Sequence, residues 1–173
     1  DGEYDFVIKQ PGQATDPGVW NMPTDTFKLE AYRSNGEFMW RRDLGWNIVQ
    51  GIWWSPILVY DLDGDGKAEV VAKTAPLDED YREENGNVLS GPEWFSIFDG
   101  ETGEESAREN WIARGNLGDW GDDYGNRVNR NKLSVAYLDG KTPSLIVQRG
   151  IYRMMKMEAW NFRNGQLTRL WEW

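Results

Sequence analysis

Three aspartates occupy alternate positions in Asp61-Leu62-Asp63-Gly64-Asp65-Gly66-Lys67-Ala68-Glu69. Carboxylates at the first, third, fifth and ninth places, with a backbone carbonyl on offer at Lys67, suit a hard cation that takes roughly six to eight oxygen ligands. The glycines sit where such a cage needs sharp turns. Without a cation, three carboxylates this close would repel one another, so the loop reads as a calcium site built from Asp61, Asp63, Asp65, Lys67 and Glu69. It is not an EF-hand, which needs a bidentate Glu at the twelfth place and a helix on each side. Here the twelfth residue is Ala72 and the flanks are β-branched. The ion would staple two strands.

A second stretch, from Arg114 to Arg130, reads RGNLGDWGDDYGNRVNR. It is too polar for a core strand and too aromatic for a linker. A loop that meets a ligand and a solvated loop of internal ion pairs both fit this composition. The chain has no His and no Cys, which excludes imidazole bases, thiolate nucleophiles, disulfides and the ordinary zinc sites. Its net charge of -10 would repel a phosphate backbone, so nucleic acid is not an expected partner. No run is long and apolar enough to cross a membrane as a helix, and no membrane association is expected.

The elements that must position these loops are short and β-like. YDFVIKQ, TFKLEAYR, EFMWRRDL, SPILVYDL, AEVVAKTA, WFSIFDG, LSVAYLDG, SLIVQRG, MKMEAWNF and LTRLWEW are separated by Asn-Gly, Asp-Gly and Gly-Glu turns, and no segment has a helical apolar face. The fold class is all-β. Two hairpin types alternate. KLEAYRSNGEFMW is echoed by KMEAWNFRNGQLTRLW, with WFSIFDGETGEE a more distant relative, and VYDLDGDGKAEVVAKT is echoed by AYLDGKTPSLIVQRG. Such echoes favour β-propeller blades over a β-sandwich. Residues 1–173 then form a single partial propeller region of about three blades, whereas closure needs at least about four. The chain is expected to be a fragment of something longer. Trp40, Trp160 and Trp171 lie in the echoes and are expected to pack between blades.

Several of these motifs together carry a family resemblance. From YDFVIKQP through DLGWNI, VYDLDGDGKAEVVAKTA, LSGPEWFSIFDGETG and RGNLGDWGDDYGNRVNR to VAYLDGKTPSLIVQRGIY and EAWNFRNGQLTRLWEW, the chain resembles the rhamnogalacturonan lyases of polysaccharide lyase family 11. The resemblance implies a secreted, calcium-dependent, eight-bladed β-propeller, of which this chain matches the first blades. It implies β-elimination on the rhamnose and galacturonic acid backbone of pectin. GIWWSP, with Trp53 and Trp54, stands where family members usually carry GAHYTQ, so a histidine is replaced.

β-Elimination on a uronate needs its carboxylate neutralised, a base for the C5 proton and an acid for the leaving oxygen. With no histidine, the candidates for this proton chemistry are Lys73, Tyr124 and Arg127, or a group outside this chain. Arg114, Arg127 or Arg149 is expected to clamp the uronate, Arg130 to bind substrate as Arg114 and Arg149 do, and Trp53, Trp54 and Trp120 to stack on sugar rings. The expected partners are an acidic plant-type polysaccharide and the remainder of the propeller, with Ca2+ as cofactor and an extracellular location. The alternative is a non-catalytic carbohydrate-binding or purely structural propeller.

Overall fold

The computed structural model describes residues 4–10 and 22–173. Among the described residues eleven strands run in chain order: β1 (Phe6–Gln10), β2 (Phe27–Tyr32), β3 (Phe38–Gly45), β4 (Ile57–Tyr60), β5 (Glu69–Thr74), β6 (Trp94–Asp99), β7 (Glu105–Asn110), β8 (Asn131–Ala136), β9 (Ser144–Arg149), β10 (Lys156–Arg163) and β11 (Gln166–Glu172). They form three antiparallel sheets, β1-β2-β3, β4-β5-β6-β7 and β8-β9-β10-β11, each pairing only strands that follow one another in sequence. No α-helix occurs among the described residues. The all-β expectation holds, and the two hairpin types are the halves of one repeating sheet. The Asp-loop type supplies the first two strands (β4-β5, β8-β9), and the Glu-Ala-aromatic type supplies the last two (β10-β11).

Ten of the eleven strands match segments with a visible apolar or aromatic pattern. The exception is β7, Glu-Ser-Ala-Arg-Glu-Asn, in which no residue is buried. It is the edge of its sheet, held by pairing to β6 and by Ala107 packed against the second core, so a full apolar alternation is not needed. The opposite extreme is β5, buried at every position. Its sheet is the middle layer. Val70 and Ala72 face a core with Leu29, Ala31, Trp40 and Phe98, while Val71 faces a second core with Phe95, Ile97, Leu145, Val147 and Trp160. Each such buried side chain contributes about 1.5–3 kcal/mol by leaving water.

The strand alternation places Glu69, Val71 and Lys73 on one face of β5. At about 3.3 Å per residue, Glu69 and Lys73 lie roughly 13 Å apart. The Asp loop therefore caps one end of the β4-β5 hairpin, and Lys73 stands at the other. The acidic loop and the candidate base belong to opposite ends of the strands.

Candidate functional site

At the Lys73 end, the core between the second and third sheets stops at a cluster of charges. Lys73 ends the inward-facing row of β5, Arg149 ends the Leu145-Val147 row of β9, Glu93 immediately precedes β6, and Arg114 follows β7. The Glu93 carboxylate is ion-paired with Lys73 and with Arg149, and its Oε1 lies 2.7 Å from Arg114 Nη2. Arg149 has no exposed surface, and Lys73 is 7% exposed. One anion thus serves three cations in a space nearly closed to water. Burial alone would raise the Glu93 carboxyl, but Lys73, Arg149 and Arg114 hold it down at about 2. Burial lowers the Lys73 ammonium to about 7, with Glu93 opposing and the two guanidinium charges adding to the fall. Burial likewise lowers Arg114 to about 10, so it remains a cation. The amine is the member of the cluster that most readily gives up its proton. Trp111 lies beside it, its ring centroid 5.7 Å from Lys73 Nζ.

The Arg114–Arg130 segment folds over this end. Asn116 caps a short 3-10 turn at Leu117–Trp120, its side chain accepting from the Gly118 N–H, where the sequence suggested plain loop. Asp122 organises the next bend, accepting from the Gly125 and Arg127 N–H groups at 3.0 Å each. A ladder of buried asparagines ties the segment down. Asn129 Nδ2 donates to Asn87 Oδ1 and to the Val88 carbonyl, Asn87 Nδ2 donates to the Tyr124 carbonyl, and Asn131 Nδ2 donates to the Trp54 carbonyl. These donated bonds fix the loop, while Asn129 Oδ1 and Asn131 Oδ1 are buried without a donor among the described residues.

The expected site residues separate into three groups. Lys73, Arg114 and Arg149 converge on Glu93. Arg114 also donates to the Gly91 carbonyl and Arg149 to that of Val128, so both guanidinium groups are engaged within the chain. Trp53, Trp54 and Arg130 form a second group: the Arg130 guanidinium lies 5.2 Å from the Trp53 ring and 5.3 Å from the Trp54 ring and bonds Asn126 Oδ1 through Nε and Nη2. Trp54 and Trp120 are each 1% exposed, so the stacking expected of them has no open ring face behind it. Trp120 instead donates to the Arg114 carbonyl at 2.5 Å. The third group, Tyr124 and Arg127, reaches solvent; Tyr124 is 55% exposed.

Two residues of this end were missed in the sequence. Glu93 sits in the ordinary-looking Gly-Pro-Glu-Trp, and its importance comes from partners at positions 73, 114 and 149. Tyr152 follows β9 and takes a φ of 70°, which no composition signal announces.

At the far end, Asp61, Asp63 and Asp65 present carboxylate oxygens all within 4.8 Å of one another. Asp61 accepts from the Gly64 and Gly66 N–H groups, Asp63 from Asp65 and Asp65 from Lys67. The backbone thus turns the three side chains inward, as a hard cation requires. Glu69 accepts from the Leu62 N–H at 2.7 Å; burial first, and then the charges of Asp63, Asp61 and Asp65, raise its carboxyl to about 7. The donor set fits calcium. The equivalent turn of the third sheet manages its charge differently: Asp139 accepts from the Lys141 and Thr142 N–H groups and from Thr142 Oγ1. A hydroxyl and two amides occupy that single carboxylate.

Three antiparallel meanders packed face to face, with a polar loop layer at one strand end and an oxygen cage at the other, define a repetitive all-β protein. The family model described as the C-terminal domain of rhamnogalacturonan lyase family 11 matches residues 1–173, and the chain belongs to that family. It is 45% identical to the rhamnogalacturonan endolyase YesW of Bacillus subtilis (strain 168), over 99% of this chain and 30% of the relative. It is 43% identical to the rhamnogalacturonan exolyase YesX of the same organism, again over 99% of this chain and 30% of the relative. The crystal structure of YesW superposes over the whole chain, 32% of its own length, with a TM-score of 0.93, and that of a Bacillus licheniformis rhamnogalacturonan lyase does the same at 43% identity. The chain spans about a third of the length of these relatives.

Proposed function

We propose that the whole protein is a secreted rhamnogalacturonan lyase that cleaves the polymer by β-elimination, and that the three sheets are consecutive blades of a β-propeller. The observation that carries the activity is the match along the entire chain to both an endolyase and an exolyase of this polymer. The propeller reading draws support from a repeated contact. Ala31 on β2 is paired with Trp40 on β3, and Ala159 on β10 with Trp171 on β11. Trp40 is covered by the next sheet and 6% exposed, whereas Trp171 is 38% exposed. A further sheet stacked on the third would cover Trp171 as the second covers Trp40.

In this reading Lys73 takes the C5 proton, because an amine titrating near neutrality is free to accept one at working pH. Glu93 holds it in place. The cluster's surplus of cations, with Arg114 Nε and Arg149 Nε lacking acceptors among the described residues, suits a uronate carboxylate nearby. Calcium would be held by Asp61, Asp63, Asp65 and Glu69 with the Lys67 carbonyl, where it would neutralise the crowded carboxylates and staple β4 to β5. Its place at the opposite strand end from Lys73 makes it a stability element.

One observation favours a second reading, a carbohydrate-binding propeller without chemistry: Lys73 is nearly buried and already ion-paired. The test is a lyase assay on rhamnogalacturonan with the full-length protein, following the ultraviolet absorbance of the unsaturated product. Product from the parent and none from its Lys73→Met variant supports the catalytic reading. Binding of the polymer without product supports the second.

A further inference from the structure

The β9-β10 connection turns on a residue in a conformation that its type disfavours. Tyr152 has φ 70°, and the Arg153 N–H donates across it to the Ile151 carbonyl at 2.9 Å. This is a three-residue turn of the rare, strained hand. An aromatic residue at positive φ persists only where surrounding structure enforces it, and such strain gathers at ligand sites. No packing gain accounts for this one, because the Tyr152 side chain is not used in the core: the residue is 74% exposed.

A cation flanks the ring. The Arg127 guanidinium lies 5.9 Å from the Tyr152 ring centroid. Arg127 and Arg153 both pass over Gly121, where an added Cβ would meet Arg127 Nη1 at 2.4 Å and Arg153 Cδ at 2.9 Å. Lys156 stands over the neighbouring Trp120 ring at 5.8 Å. Arg153 and Lys156 are exposed, and neither is ion-paired to a carboxylate among the described residues. Arg127 Nε has Asp122 at 3.6 Å, a carboxylate also held by two backbone N–H groups. In a chain of net charge -10, Arg127 beside the Tyr152 ring, with Arg153 packed on the same Gly121, sets cations next to a presented aromatic face.

We propose that Tyr152, Arg127 and Arg153 form a binding subsite for an acidic sugar, with the Tyr152 ring stacking on the apolar face of the pyranose and the arginines pairing with its carboxylate. This deepens the lyase reading by naming residues that hold the polymer, and rests on that reading for the choice of polymer. The strained turn presents the ring at a fixed angle, so the contact loses little side-chain freedom on binding.

The experiment is calorimetric titration of the full-length protein and its variants with a size-defined rhamnogalacturonan oligosaccharide, beside a neutral oligosaccharide of equal length, together with thermal melts. Tyr152→Gly relieves the backbone and removes the ring. Its melting temperature is expected to stay level or rise, while Kd for the acidic oligosaccharide rises at least about tenfold, the equivalent of roughly 1.4 kcal/mol. Tyr152→Phe should bind within about threefold of the parent, since stacking on a ring face does not require the hydroxyl. Arg153→Ala should weaken the acidic ligand and leave the neutral one unchanged. Unaltered acidic-ligand affinity in Tyr152→Gly overturns the proposal, as does a lowered melting temperature with affinity retained, which would make Tyr152 a packing residue. Because the readout is binding, absence of lyase product from the parent counts against the lyase reading alone.

Discussion

The Glu93 carboxylate and the Lys73 ammonium are paired at the end of a core that water scarcely reaches, with Arg114 and Arg149 on the same carboxylate. Removing the single anion leaves three cations buried against one another. Glu93→Gln is therefore expected to cost about 3–5 kcal/mol of stability, read as a fall in the denaturation midpoint of the full-length protein. Lys73→Met removes a surplus cation and keeps the volume, so stability should change little. The lyase rate of that variant should drop by about 10²–10⁴ if the amine is the base. A stable, fully active Lys73→Met protein would remove Lys73 from the mechanism.

The same cluster sets two pH dependences of opposite origin. Glu93 is held near 2 against an ordinary 4.5, so the stability it contributes is present above pH 4.5 and is lost as pH falls toward 2. Lys73 is lowered to about 7 from 10.5. Between those values the unfolded chain binds the proton and the folded one does not, so stability rises with pH from about 7 to 10.5. Melting curves across pH should show the acid limb shrink in a variant lacking Glu93, with Asp80 and Asp139 keeping a part of it, and the alkaline rise shrink in Lys73→Met to the part that Lys9 supplies. Were Lys73 the base, the log of kcat/KM would climb to a plateau above about pH 7.

Chelation should destabilise the protein without touching the Lys73 end. A bound ion at about one hundred times its dissociation constant stabilises by roughly 2.7 kcal/mol, and Asp63→Ala should lose most of that. The check is a melt with and without chelator: the parent should fall several degrees and recover with added calcium, and Asp63→Ala should no longer respond. A chelator response that survives in Asp63→Ala would place the stabilising ion elsewhere.

Sheet stacking can be probed at one glycine. Gly103 has φ 69°, and a Cβ there would come within 2.6 Å of the Trp40 ring, whose Nε1 donates to the Gly100 carbonyl at 2.9 Å. Gly103→Ala combines a disfavoured backbone with overpacking and should cost about 2 kcal/mol or more. Trp40→Phe, which loses the hydrogen bond and some volume, should partly relieve the clash in the double variant. Simple additivity of the two would show that they are not in contact.

Local chemistry was the part legible in the sequence. Alternate-residue apolar patterns and Asn-Gly or Asp-Gly turns marked ten strands, since each depends on neighbours within a few residues. The convergence of Asp61, Asp63 and Asp65 likewise follows from spacing within a single hairpin turn. Even the repeat of hairpins could be read, because each sheet pairs strands in chain order. Strand β7 escaped because an edge strand is specified by its partner and needs no pattern of its own.

What only the tertiary structure decided is which distant charges meet. Arg114 and Arg149 are brought onto the Glu93 carboxylate, and Trp54 and Trp120 are buried, arrangements that spacing along the chain does not announce. Tyr152 was invisible for a related reason: its exposure and its strained turn arise where the β9-β10 connection packs over Gly121. Sequence spacing determines what a single turn can hold. The charge, burial and proton affinity of residues brought together from four separate segments depend on the dielectric and the neighbours that only packing supplies.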